Sequence, residues 1–112
     1  MSEFKEEIKV EGSTVPFYTY KIGETKIFEF DTSRCGPPEP MVNAMAGLKL
    51  IDNPMKKLVM INHKKPMGLL DKVSENYQID VEDLEDGRVK LIFSYIAGES
   101  EKADLSKNSC SG

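Results

Sequence analysis

Residues 26–40 read Lys26-Ile27-Phe28-Glu29-Phe30-Asp31-Thr32-Ser33-Arg34-Cys35-Gly36-Pro37-Pro38-Glu39-Pro40. The first six are typical of a β-strand, since aromatic and β-branched residues are favoured there. The prolines predict a helix that begins near Glu39, because proline is tolerated in the first helical turn. A cysteine just before a helix is of chemical interest, since the unpaired N–H groups and the helix dipole favour a thiolate. This stretch therefore predicts a strand-to-helix connection that is suited to chemistry or to anion binding.

The helix after the prolines has the clearest pattern in the chain. Its apolar residues fall at i, i+3, i+4, i+7 and i+10 and form one stripe: Met41, Ala44, Met45, Leu48 and Ile51. Asp52-Asn53-Pro54 is expected to end this helix. The apolar run Leu58-Val59-Met60-Ile61 then predicts a central strand that is covered on both faces. A second helix is expected to begin at Pro66.

The segments on either side of this unit predict further strands. Residues 7–11 alternate between apolar and charged, and residues 15–22 are rich in aromatic and β-branched types. Residues 77–82 also alternate, and the hairpin signal Asp86-Gly87 separates them from a last strand over residues 88–96. The order β-β-β-α-β-α-β-β predicts an α/β two-layer sandwich, with a mixed sheet and both helices on one face.

This order also predicts how the chain is divided. The core unit is β-α-β-α-β-β, over residues 26–97, and residues 1–25 add an N-terminal β-hairpin extension. Residues 98–112 carry serine, lysine and glutamate with little to bury, and we expect a flexible tail there.

Composition excludes several classes of function. The chain has 112 residues, of which 39% are apolar and 30% charged, and its net charge of −4 argues against nucleic-acid binding. No apolar run approaches the roughly 18 residues needed to span a membrane, and the N-terminus lacks the apolar core of a signal peptide. We therefore expect a cytoplasmic protein without a membrane partner. Two cysteines and one histidine, without paired spacing, predict neither a protein-only metal centre nor a cofactor.

The strands that end at Asp31 and Asn62 are joined through a helix, and such crossovers usually make parallel pairs. Their carboxyl ends then point the same way. Arg34, Cys35, His63, Lys64 and Lys65 are expected to gather at this end, where both helices also begin. Two positive helix ends and several cations would favour an anion.

Simpler interpretations of these residues stay open. Cys35 also fits a small buried filler in a turn. His63 also fits a capping or surface histidine, and Lys64-Lys65 a solvated pair. Glu39 is expected to complement the positive end of the first helical turn.

Two segments together resemble the TusA-like (SirA-like) superfamily. They are Pro37-Pro38-Glu39-Pro40 and His63-Lys64-Lys65-Pro66-Met67-Gly68-Leu69-Leu70, and the match covers roughly residues 26–96. The resemblance is closest to an uncharacterised branch with a Pro-Pro-Glu-Pro segment, and it implies a two-layer α/β sandwich. In the sulfur-carrier members, the cysteine of a Cys-Pro-x-Pro motif carries a persulfide between partner proteins. Pro37 stands at that position here, and Cys35 lies two residues upstream.

Three functions follow as expectations. The first is a non-catalytic binding domain, linked through the resemblance to sulfur or redox metabolism, that holds a small anionic ligand or a partner protein. Its binding residues would be Arg34, Pro37, Pro38, Glu39, Pro40, His63, Lys64, Lys65 and Pro66. The alternative is a sulfur carrier in which Cys35 is a displaced thiolate, its pKa lowered by Arg34, His63 and the helix dipole. A third expectation is a structural domain that docks through its N-terminal hairpin, where an edge strand could also support a homodimer.

Overall fold

A computed structural model describes residues 5–36 and 38–102 of the chain. The strands are β1 (Glu6–Ile8), β2 (Phe17–Ile22), β3 (Thr25–Asp31), β4 (Lys56–Asn62), β5 (Tyr77–Asp83) and β6 (Val89–Tyr95). The helices are α1 (Glu39–Leu48) and α2 (Met67–Val73), and a short 3-10 turn covers Ser100–Lys102. The predicted order of strands and helices is confirmed.

One mixed sheet contains all six strands, in the order β1-β2-β3-β4-β6-β5. The pair β3–β4 is parallel, and every other neighbouring pair is antiparallel. Because α1 connects the two parallel strands, it runs back across the sheet from the end of β3 to the start of β4.

Both helices pack on one face of the sheet and share a single apolar core. Met45 and Leu48 of α1 and Leu69 and Val73 of α2 belong to the same buried cluster as the inward side chains of the strands. The two-layer sandwich with a mixed sheet is therefore the observed architecture. The inward side chains of the strands include Phe17, Phe28, Phe30, Leu58, Met60, Leu91 and Phe93.

The N-terminal segment is an integral part of this sheet. β2 pairs along its whole length with β3, and the ring of Phe17 stacks on that of Phe30 with centroids 4.7 Å apart. Phe17 is fully buried. The N-terminal hairpin therefore extends the sheet beyond β3 and supplies core residues.

Residues 98–102, at the start of the predicted tail, make specific contacts with the rest of the domain. Ser100 is buried, and its hydroxyl donates to the carbonyl of Asn76 at 2.6 Å and accepts from the N–H of Ile96 at 2.8 Å. The first five residues of the predicted tail, 98–102, thus fold back on the sheet. The rest of that segment, including Cys110, lies outside the described residues.

Helix α1 is shorter than its apolar stripe. It ends at Leu48, and Ile51 lies in the following loop, although it is still buried in the core. The N–H groups of Leu50 and Ile51 donate to the carbonyls of Gly47 and Leu48 in tight turns. The 3.6-residue spacing therefore predicted the burial of Ile51 correctly and its helical state wrongly.

Candidate binding site at the carboxyl ends of the parallel strands

The parallel pair brings two loops together at one end of the sheet. Asp31 and Ile61 are register partners, and the N–H of Thr32 donates to the carbonyl of Ile61 at 2.8 Å. The loop after β3 and the loop after β4 are therefore neighbours, as the topology predicts. We call this region the carboxyl end; it comprises residues 31–36, 38–40 and 61–67.

Two buried polar side chains brace the carboxyl end from within. The hydroxyl of Thr32 donates to Oδ1 of Asn62 at 2.9 Å, and Nδ2 of Asn62 donates to the carbonyl of Lys64 at 2.9 Å. Thr32 and Asn62 are almost fully inaccessible to solvent. These bonds fix the backbone that carries His63, Lys64 and Lys65, while the side chains of those three residues are exposed.

The predicted cations lie on this surface without acidic partners. Arg34, His63, Lys64 and Lys65 are all exposed. None of them takes part in an ion pair within residues 5–36 and 38–102. The carboxyl end therefore presents its positive charge to solvent.

A further cation lies beside this surface and was missed from the sequence. Arg88 precedes β6, whose residue Val89 pairs with Asn62. Its guanidinium binds Asp31 at 3.0 Å and Asp86 at 2.8 Å. Arg88 is thus neutralised locally and braces the hairpin against β3. The turn signal at Asp86 predicted that Arg88 lies at a hairpin. The position of that hairpin at the carboxyl end follows from the strand order of the sheet, which the sequence did not give.

The start of α1 offers few free backbone donors. The N–H of Glu39 donates to the carbonyl of Gly36 at 3.0 Å, and that of Val42 to the carbonyl of Pro38 at 3.0 Å. Pro40 has no N–H. At the start of α2, the bond from the N–H of Leu70 to the carbonyl of Pro66 is the first bond of the helix, and the N–H groups of residues 67–69 precede it. At the start of α1, side-chain cations therefore contribute more to the electrostatics of this region than backbone donors do.

Cys35 lies in an acidic environment and not the basic one that the sequence predicted. The residue is half-buried, and its N–H donates to the carbonyl of Thr32 at 3.0 Å. Burial raises the pKa of the Cys35 thiol; a hydrogen bond to Glu39 and the negative charges of Glu39 and Asp31 raise this pKa further. The expectation that Arg34, His63 and the helix dipole would lower it is wrong. The thiol is therefore held protonated and poorly nucleophilic at neutral pH.

Glu39 has a second partner, from the N-terminal part of the chain. The hydroxyl of Thr14 donates to Oε1 of Glu39 at 2.9 Å. Oδ1 of the fully buried Asn43 accepts from the N–H groups of Thr14 at 2.7 Å and Val15 at 3.3 Å, and its Nδ2 donates to the Thr14 hydroxyl and to the Glu39 carbonyl, each at 2.8 Å. The loop between β1 and β2 is thereby fixed to the first turns of α1.

The predicted proline residues differ in their exposure. Pro38 is exposed at the helix start, Pro40 is buried beneath it, and Pro66 is half-buried before α2. Pro37 lies outside the described residues. Pro40 therefore contributes to packing, and among the described prolines of this set Pro38 and Pro66 present surface to a ligand.

The described part of the chain lacks two other features. No group of three or more His, Cys, Asp or Glu side chains there is arranged to hold a metal ion. Neither α1 nor α2 is long and apolar enough to cross a membrane.

Comparison of the chain with protein-family models, with curated proteins and with solved structures gives no match. The resemblance to the TusA-like superfamily, based on residues 37–40 and 63–70, therefore stays a prediction. The side chains at the carboxyl end therefore carry the evidence for a function.

Proposed function

We propose that this protein is a non-catalytic binding domain that holds an acidic group, a phosphate, sulfate or carboxylate, at its carboxyl end. One observation carries the proposal. Arg34, His63, Lys64 and Lys65 are exposed together without ion pairs among the described residues, in a chain whose net charge is −4. An acidic protein that leaves one cationic surface unpaired has a ready contact for an anion.

The arrangement favours recognition through side chains on a firm backbone. Arginine matches the geometry of a carboxylate or phosphate with two parallel hydrogen bonds, and lysine adds a point charge. The Thr32–Asn62–Lys64 hydrogen bonds hold the second loop in place, so little backbone order would be lost on binding. Met67, which is 57% exposed beside these loops, offers an apolar contact to a partner.

The proposed link to sulfur or redox metabolism depends on the TusA-like resemblance. The proposed cytoplasmic location depends on the sequence features given above. The alternative function, a sulfur carrier that uses Cys35, is weakened by the raised pKa of that thiol. Persulfide formation needs a nucleophilic thiolate, and the Glu39 carboxylate opposes it.

The test is an NMR titration of the full chain with two probes, sodium pyrophosphate and a synthetic octaglutamate peptide. Arg34→Ala combined with Lys64→Ala is expected to weaken binding about tenfold, which corresponds to about 1.4 kcal/mol. The matched control, Lys9→Ala with Lys72→Ala, removes the same charge from two exposed sites elsewhere and is expected to change affinity little.

The two probes identify the source of the acidic group. Binding of pyrophosphate indicates a small anion, whereas binding of the peptide alone indicates an acidic partner protein. Equal loss of affinity in the Arg34/Lys64 variant and in the control would show that the proposed surface is wrong. Cys35→Ser is expected to be silent in the same titration; a large loss would instead support the carrier alternative.

A further inference from the structure

A second cluster of lysines lies at the opposite end of the sheet. Lys21 of β2 pairs with Lys26 of β3, and Lys26 pairs with Lys56 of β4. By strand alternation all three point to the helix-covered face, like Phe28. Like charges directly opposite each other on neighbouring strands are destabilising. The fold therefore retains two unfavourable pairs in one row.

Little within the described chain neutralises this row. Lys56 pairs with Asp52 at 3.0 Å, and Nζ of Lys26 lies 5.5 Å from the centroid of the Phe28 ring. Among residues 5–36 and 38–102, no ion pair reaches Lys21 or Lys26. Lys49, exposed just after α1, adds a fourth cation. We call this region the amino end; it comprises residues 21–26 and 49–57.

Two large apolar side chains are exposed within the amino end. Ile22 is 57% exposed at the tip of the β2–β3 hairpin, and Met55 is 45% exposed before β4. The N–H of Lys26 donates to the carbonyl of Met55 at 2.8 Å, which brings the hairpin and the loop together. By the same alternation Ile22 points to the other face from Lys21, so Ile22 and the lysine row flank this end of the sheet from opposite faces.

We propose that the amino end is a docking surface for an acidic amphipathic helix of a partner protein. Neighbouring strands are about 4.8 Å apart, so the three lysines form a row about 10 Å long across the sheet. Acidic residues at i and i+4 of a helix lie about 6 Å apart, a spacing that flexible lysine side chains can match. A helix that lies across this end of the sheet would place its acidic stripe on the lysine side, and the apolar residues next to that stripe would contact Ile22 and Met55.

Charge and composition favour such a partner over two other occupants. The net charge of −4 opposes approach to an anionic bilayer, whereas a short acidic helix interacts locally, within a Debye length of about 8 Å. The helices described in a second copy do not supply this stripe, because α1 and α2 carry one acidic residue each, Glu39 and Asp71. The surface also does not overlap the carboxyl end, so this inference does not depend on the proposed function.

The test uses fluorescence anisotropy with a labelled synthetic 16-residue peptide that carries glutamates at i, i+4 spacing beside a leucine stripe. We expect saturable binding to the full chain, with an affinity that falls as salt is added. Lys21→Gln with Lys26→Gln is expected to weaken binding about tenfold, and Ile22→Ser several-fold. The matched control, Lys9→Gln with Lys72→Gln, removes two charges from exposed sites outside both ends and is expected to leave the affinity within twofold.

Three outcomes would overturn the inference. One is equal binding of a peptide in which glutamine replaces every glutamate, a comparison that leaves the protein unchanged and so does not depend on variant folding. A second is preferential sedimentation with phosphatidylserine vesicles that the lysine variant abolishes, which would assign the surface to lipid. The third is concentration-dependent self-association in ultracentrifugation that the same variant abolishes, which would assign it to a second copy.

Discussion

The two ends of the β3–β4 pair both present cations, but the chain builds them differently. At the carboxyl end, Arg34, His63, Lys64 and Lys65 lie in the loops after the strands. At the amino end, the lysines lie on the strands themselves. Lys21, Lys26 and Lys56 are register partners across three neighbouring strands. The first surface therefore depends on how two loops are held, and the second on how three strands are paired.

The protein fixes the charged side chains at the two ends of the sheet in two different ways. Buried side chains, Asn43 and Asn62, brace the carboxyl end, and each has its hydrogen bonds satisfied. The amino end is fixed mainly by backbone pairing and by close packing of α1 on the sheet. Substitutions of buried polar residues should therefore damage the first end most, and changes in packing the second.

The largest effect is expected from Asn43→Ala. This change removes an acceptor for the N–H groups of Thr14 and Val15 and a donor to the Thr14 hydroxyl and the Glu39 carbonyl. Because Asn43 is fully buried, its partners would be left without replacement, at a cost of about 3 kcal/mol in the free energy of unfolding. Urea denaturation followed by circular dichroism measures this difference.

Asn53→Ala is the matched asparagine substitution at the amino end. Asn53 is half-buried, and its Oδ1 accepts from the N–H of Met55 at 2.8 Å. Water can replace that bond, so the loss should stay near 1 kcal/mol or below. Equal losses for Asn43→Ala and Asn53→Ala would contradict the view that a buried polar cluster braces only the carboxyl end.

An intermediate effect is expected from Gly47→Ala, near the end of α1. Alanine usually stabilises a helix relative to glycine by about 1 kcal/mol. Here an added Cβ would lie 2.7 Å from Cδ1 of Leu58 and 3.0 Å from Cε2 of Phe17, both fully buried. Overpacking should reverse the sign and destabilise the protein by about 1–3 kcal/mol, measured by urea denaturation.

Gly36→Ala supplies the control for this packing argument, at the carboxyl end. An added Cβ at Gly36 meets nothing within 4 Å, and Gly36 does not adopt a positive φ. Its stability should be unchanged or slightly raised. If Gly47→Ala were also neutral, α1 would not be packed against the sheet as closely as the structure describes.

The carboxyl end could be predicted from the sequence, whereas the amino end could not. A helix that connects two strands of one sheet usually makes them parallel, so the sequence already predicted that the loops after Asp31 and Asn62 lie together. The lysine row requires a register, and Lys21, Lys26 and Lys56 are far apart in the chain without a shared motif. The contact of Thr14 with Asn43 spans 29 residues and leaves no local signal either.

The environment of Cys35 shows the same limit on a smaller scale. Its position before a helix predicted a lowered thiol pKa through the dipole. In the structure the Glu39 carboxylate, one turn further on, lies close enough to accept its hydrogen bond. Spacing in the sequence gives proximity of this kind, but the direction of a pKa shift depends on which side chain turns toward the sulfur.

The smallest effect, one of titration and not of stability, is expected from Glu39→Gln in a chain that also carries Cys110→Ser, so that Cys35 is the one remaining thiol. Removal of the Glu39 charge should lower the pKa of Cys35, because burial and the Asp31 charge then act alone. The iodoacetamide rate, measured against pH, should show its midpoint at lower pH in the glutamine variant than in the parent. Because the pKa of Cys35 is raised in the native state, the free energy of unfolding should decline as the pH rises above the unfolded-state pKa of cysteine. If the parent midpoint lies below that of an ordinary cysteine, about 8.5, the thiolate is favoured after all and the sulfur-carrier alternative gains support over the binding domain.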